Sequence, residues 1–217
     1  MTNAREIKLE LYVQLARIAK VLGNPKRLEL LDLLLQVSKP VEMLAHEANI
    51  SVKLASAHLK ELRVARLVNS ERRGKQVIYR LASAEVPRFL NLMRDFAQDR
   101  LFELQDALQH LSQLEGESYT EDQHTLLEKA KAGEMIILDV RPENEFDHAH
   151  FPFAKSIPLT ELKKRLHELP ANVPVTVYCR GPYCIMTADA IQILKQQGYT
   201  ALALKTNVTD WAEMQDK

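Results

Sequence analysis

Ser51-Val52-Lys53-Leu54-Ala55-Ser56-Ala57-His58-Leu59-Lys60-Glu61-Leu62-Arg63-Val64-Ala65-Arg66 decides the reading of the amino-terminal half. Ser51 has the side chain of a helix N-cap, and the stretch behind it carries apolar residues at helical spacing. Ala55, Leu59 and Leu62 fall on one side and can pack on neighbouring helices. Lys53, Ser56, Ala57 and Lys60 fall on the other, a small and basic face that can enter a DNA major groove, with the lysines near phosphates and Ser56 near base edges. His58 lies at the edge between the two faces, where packing, capping and a DNA contact all remain open.

Working outward, residues 4–21 repeat Ile7, Leu11, Leu15, Ile18 and Leu22 at helical spacing, and Gly23 stops the run. Asn24-Pro25 supplies an N-cap and a first helical position for a second helix through Val37. A short helix follows around residues 41–48, ended by Asn49, which tolerates the left-handed conformation. Beyond the quoted helix come two strand-like runs, 67–71 and 76–81, joined by the basic turn Arg72-Arg73-Gly74-Lys75. Arg72, Arg73 and Lys75 at a hairpin tip suit contact with a DNA backbone or minor groove, or simple solubility. A single long helix is expected over about 84–114, with Ala97, Leu101, Leu104, Leu108 and Leu111 forming a seam for a partner helix and hence a homodimer. The polar break at 116–119 marks a domain boundary, and Thr120-Glu121-Asp122-Gln123 reads as a capping box opening the next helix.

Past the break, strand-like runs at 135–140, 173–178 and 200–204 alternate with helical runs at 160–169 and 187–197, the pattern of a small α/β domain with a mostly parallel sheet. The chain is thus expected to hold two domains, 1–115 mainly helical and 120–217 α/β. Its 217 residues are enough for both. The net charge of +0 hides an asymmetry: residues 1–115 hold 18 Lys+Arg against 14 Asp+Glu, and residues 51–80 hold eight basic against two acidic side chains. A local basic excess is what a polyanion-binding surface requires. No apolar run is long enough to span a bilayer and the first residues lack a signal-type core, so a cytoplasmic protein without membrane contact is expected.

The two cysteines, Cys179 and Cys184, bracket Cys179-Arg180-Gly181-Pro182-Tyr183-Cys184, between a buried-type strand and a helix. Ligand chemistry in such sheets gathers at the carboxyl ends of strands. A loop that wraps a cysteine at a helix N-terminus points amides at the sulfur and stabilises its anion, with Gly181 allowing close approach and Arg180 adding positive charge. A Cys-based phosphatase would want Cys followed by five residues and then Arg, and Ile185 stands in that place, so phosphoryl chemistry is not expected.

Two resemblances sharpen these readings. Leu22-Gly23-Asn24-Pro25-Lys26-Arg27-Leu28, Ser56-Ala57-His58-Leu59-Lys60 and Val77-Ile78-Tyr79 resemble the ArsR winged-helix family over about residues 5–110. That resemblance implies a homodimer, through the first and last helices, that represses by occupying double-stranded operator DNA. Many members sense metals through Cys on the third helix or Asp and His on the last. This chain has no Cys before Cys179 and only Asp95, Asp99 and His110 on the last helix, so no metal site and no cofactor are expected.

Ile137-Leu138-Asp139-Val140-Arg141-Pro142, Glu145-Phe146, His150-Phe151-Pro152, Ile157-Pro158-Leu159, Cys179 and Trp211 resemble the rhodanese (sulfurtransferase) domain over residues 120–215. This implies that Cys179 carries sulfane sulfur as a persulfide, with Asp139, Arg141 and His150 supporting the fold. The chain departs from the family pattern at Ala149 and Phe153, where glycine is usual, at Thr206-Asn207, usually Gly-Gly, and at Cys184, often a basic residue. The second thiol favours persulfide transfer or an internal disulfide over thiosulfate turnover. The expected function is a DNA-binding regulator, read as a repressor, that senses a sulfane-sulfur donor or oxidant at Cys179 with Cys184 as resolving thiol. The alternatives are a sulfurtransferase that uses the winged helix for dimerisation or docking, and a repressor whose second domain is purely structural.

Overall fold

The computed structural model describes residues 3–206 and Val208. Contacts cluster the chain into two units, Met1–Met93 and Arg94–Lys217. In the first, α1 (Ala4–Leu22) and α2 (Pro25–Gln36) are separated by Gly23 and Asn24, and the Asn24 side chain accepts from the Arg27 amide. A two-residue strand β1 (Lys39–Pro40) leads into α3 (Val41–Glu47), and Asn49, at φ 51°, turns the chain toward α4 (Val52–Val64). Lys26 on α2 donates to the carbonyl of Ala48, so a side chain satisfies the end of α3 that has no helical partner.

Strands β2 (Val68–Arg73) and β3 (Gln76–Leu81) form the hairpin, with β1 on the other side of β3 and every pairing antiparallel. The turn is the two residues Gly74-Lys75, so Arg72 and Arg73 lie in the strand and not in the turn expected for them. Gly74, at φ 62°, takes the first turn position, where a type II′ hairpin needs a left-handed backbone. Leu30, Leu31, Leu44, Ala55, Leu59, Leu62 and Val68 make the core of this winged helix-turn-helix unit. The apolar face expected for α4 is therefore the buried one.

The long closing helix is interrupted. α5 (Glu85–Arg100) and α6 (Phe102–Glu115) are separate helices, with Leu101 extended between them at φ −107°, ψ 105°. Leu101 becomes the N-cap of α6, its carbonyl accepting from Leu104 and Gln105, while the Gln105 side chain reaches back to the Gln98 carbonyl. The break divides the predicted seam: Leu101 is half exposed, whereas α6 packs on the last helix of the second unit.

That unit continues with α7 (Gln123–Lys131), β4 (Ile136–Asp139), α8 (Glu143–His148), β5 (Lys155–Ser156), α9 (Leu159–Arg165) followed by a short 3-10 turn, β6 (Val175–Tyr178), α10 (Met186–Gln196) and β7 (Ala201–Ala203). The N-cap of α7 is Asp122, whose carboxylate accepts from the Thr125 amide. The four strands pair in parallel in the order β5-β4-β6-β7. Leu138, Val175 and Val177 face a core with Leu162, Ile191 and Leu194, while Ile137 and Tyr178 face the opposite one with Leu126 and Phe151. Both faces are covered, as parallel sheets require, and this rhodanese-like domain is an α/β layer structure. Residues 117–119 run beside β7, where Ser118 pairs with Ala203 and the Tyr119 and Ala203 amides donate across the gap at 2.9 Å each. Glu115 and Lys205 form an ion pair beside that contact. Trp211 lies outside the described residues.

Candidate functional site

The helix-turn-helix is α3, the turn 48–51, and α4. Ser51 caps α4, its hydroxyl accepting from the Leu54 amide at 3.2 Å. With Ala55, Leu59 and Leu62 fully covered, the helix turns Lys53, Ala57 and Lys60 outward, and Ser56 and His58 are half-buried between the faces. The structure thus gathers Lys53, Ser56 and Lys60 on one helix surface. On the hairpin, Arg72, Arg73 and Lys75 are all exposed. Arg73 pairs with Glu71 at 3.2 Å and Arg72 donates to the Gly74 carbonyl, exposed contacts that water and salt weaken readily. A nearby basic group escaped the sequence reading: Arg63, at the end of α4, donates to Ser70 on β2 at 3.0 Å, tying helix to wing.

The second candidate centre follows β6. Tyr178 ends the strand, Cys179 comes next with 3% of its surface exposed, and α10 opens two residues beyond Cys184. Cys179 and Cys184 are joined as a disulfide, their Cα atoms 6.6 Å apart. The loop is shaped by its own backbone. Gly181 sits at φ 127°, a conformation that side-chain-bearing residues rarely adopt, and its carbonyl accepts from the Cys184 amide at 3.0 Å.

Arg180 is tied into the domain by a carboxylate. Its guanidinium binds Glu145 of α8 through Nε and a terminal nitrogen, the closest contact 2.6 Å, with the Glu145 side chain fully buried and that of Arg180 11% exposed. Glu145, expected only as part of a motif, therefore helps to hold the loop to the domain. Beneath it, Asp139 and Arg141 make a second buried pair at 2.7 Å, and Arg141 also donates to the Ala149 carbonyl. Burial pulls the Arg141 guanidinium down, but the hydrogen bond and charge of Asp139 hold it above its ordinary value. Burial, and next the neighbouring Asp139, push the Tyr178 hydroxyl up, so it stays protonated. His150 stacks on Phe146 at 3.9 Å between ring centres and contacts the Phe146 carbonyl, which anchors the 149–154 loop.

The glycine departures now have a geometry. Phe153 has φ 63°, the left-handed region where glycine avoids a steric cost, whereas Ala149 at φ −162° is extended and suits any residue. Inside the second unit, the Arg94 guanidinium of α5 lies 5.2 Å from the ring centre of Tyr183 in the cysteine loop.

Comparison with known proteins agrees with both halves. The model of the bacterial regulatory proteins of the arsR family matches residues 24–70, and that of the rhodanese-like domain matches 122–214. The HTH-type transcriptional regulator Rv0324 of Mycobacterium tuberculosis is 34% identical over 211 residues, 97% of this chain and 92% of that protein. The chain belongs to the ArsR family of transcriptional regulators. This ArsR-family regulator carries a carboxyl-terminal rhodanese-like domain. It is also similar to nodulation protein NolR of Rhizobium meliloti, 33% identical over 39% of this chain and 69% of that one. Among solved structures it resembles a homodimeric winged helix-turn-helix DNA-binding domain from Mycobacterium bovis, 36% identical, covering 46% of this chain and 91% of that chain with a TM-score of 0.42.

Proposed function

We propose that this regulator is a homodimeric repressor whose occupancy of double-stranded operator DNA depends on the sulfur or redox state of Cys179, with Cys184 as the resolving thiol. The observation that carries the reading is one chain joining the α4 face of exposed Lys53 and Lys60 and half-buried Ser56 to a loop in which two cysteine sulfurs meet. Dimerisation is supported by the apolar surface that α1 and α5 leave uncovered: Leu11, Tyr12 and Leu15 on the first, Phe89, Leu92 and Phe96 on the second. A route out of the loop is supported by Arg94 over Tyr183 and by the packing of α6 on α10, the helix that begins where the loop ends.

The signal in this reading is a sulfane-sulfur donor or an oxidant. A difference of about 2 kcal/mol between loop states changes operator affinity about thirty-fold, so the coupling it needs is modest. The test compares operator binding by reduced protein, polysulfide-treated protein and Cys179→Ser. The proposal expects treatment to shift the wild type alone. Identical affinities in all three would remove the sensing role and leave a constitutive repressor. Sulfurtransferase turnover without sequence-specific DNA binding would instead favour an enzyme that uses its winged helix for docking.

A further inference from the structure

The geometry points to a further activity, which rests on the sulfur-accepting role proposed for Cys179: the loop reduces sulfane sulfur to hydrogen sulfide and closes into the Cys179–Cys184 disulfide. The chemistry runs in two displacements on a low-molecular persulfide, R–S–SH. The Cys179 thiolate attacks the outer sulfur, the donor S–S bond breaks, and RS⁻ leaves with the proton that Cys179 gave up, leaving Cys179–S–SH. The Cys184 thiolate then attacks Cys179 Sγ, the bond from Sγ to the added sulfur breaks, and HS⁻ leaves with the Cys184 proton as hydrogen sulfide. Two thiols supply two electrons, the sulfane sulfur takes both, and no outside oxidant is needed.

The loop favours attack on the inner sulfur. Cys184 Sγ already meets Cys179 Sγ in the folded conformation, over a Cα separation of 6.6 Å that lies within the span disulfides bridge. Attack on the outer sulfur would require Cys184 to reach a position one further S–S bond, roughly 2 Å, from that one. The backbone does not offer that slack readily, because the Cys184 amide is tied to the Gly181 carbonyl at 3.0 Å and Arg180 is tied to buried Glu145. An external acceptor is at a disadvantage, since it must diffuse in while Cys184 is already held against Cys179. Holding two reactants at contact converts a bimolecular step into an internal one. The loop therefore records sulfur exposure as a disulfide, and a thiol reductant must reset it.

The experiment uses full-length reduced protein and one equivalent of glutathione persulfide, with sulfide followed by electrode and protein mass by spectrometry. Wild type is expected to release one sulfide per chain and lose the mass of two hydrogens. Cys184→Ser is expected to gain one sulfur atom and release sulfide at least about tenfold more slowly, as loss of an internal nucleophile implies. The gained sulfur itself reports that the variant's loop still accepts. A wild type that retains the added sulfur, as persulfide or as a three-sulfur bridge, would overturn the activity. So would sulfide release from Cys184→Ser at the wild-type rate. Operator binding is read on the same samples: sulfide release with unchanged binding defeats the sensing role and keeps the activity, and the converse result defeats only the activity.

Discussion

Glu145→Gln removes one charge from a place where its partner cannot follow. The Glu145 side chain is fully buried and the Arg180 side chain is 11% exposed, and the two are joined by contacts of 2.6 to 3.1 Å. Arginine does not shed its proton, so the guanidinium would stay charged in a site nine-tenths closed to water. Breaking a buried pair in this way costs about 3–5 kcal/mol. For a unit of this size each kcal/mol moves the melting temperature by about 4 °C, which places the second unit's transition on the order of 12 °C lower or more. The assay is scanning calorimetry of the full chain under reducing conditions, repeated on Arg180→Met and on the double variant. If the pair is the source of the effect, the double variant loses about 2 kcal/mol less than the sum of the singles. Additive losses within about 0.5 kcal/mol would refute the argument that Glu145 and Arg180 act as one unit.

Four shorter predictions accompany it. Ser51→Ala leaves the Leu54 amide at the start of α4 without its acceptor and should destabilise the first unit by about 1 kcal/mol, read from its denaturation midpoint. Lys53→Ala with Arg72→Ala should lower the slope of log binding constant against log salt by about 2, and an unchanged slope would take both residues off the DNA surface. Gly181→Val places a branched side chain at φ 127°, a strain of about 1–3 kcal/mol, so mild oxidation should yield less Cys179–Cys184 disulfide than in wild type; equal yields would mean the turn is not required. Hydrogen bonding from Arg165 holds the Glu168 carboxyl down to about 2, against an ordinary 4.5. Being lower in the folded protein, its contribution is fully present above pH 4.5 and fades as pH falls toward 2, which a carboxyl NMR titration of Glu168 would detect.

What could be read without coordinates was local punctuation and periodicity. Gly23, Asn24-Pro25, Asn49 and Ser51 each act on the backbone within a few residues of themselves, so the helix-turn-helix was legible in detail. The cysteine loop's place at the end of β6 followed from strand and helix alternation in the same way. The break at Leu101 was hidden because no glycine or proline stands there, and the Gln105 side chain satisfies the opened helix end by reaching the Gln98 carbonyl. The Glu145 partner of Arg180 was not legible because it lies 35 residues upstream and meets Arg180 only through the fold. Of the two isolated glycine replacements, Phe153 carries a backbone cost and Ala149 none, a difference that sequence comparison could not make.

The segment beside β7 has one more consequence. Without residues 117–119, the outer side of Ala201–Ala203 would present bare amides and carbonyls along the margin of a parallel sheet. Such a margin is a template for another chain, and natural proteins shield it. Here the shield is the stretch that links α6 to the rhodanese-like domain, so where the polypeptide is cut matters for its colloidal behaviour. A fragment beginning at residue 120 is expected to self-associate through that bare margin, whereas one beginning at Arg94 keeps it covered and should remain dispersed in light scattering.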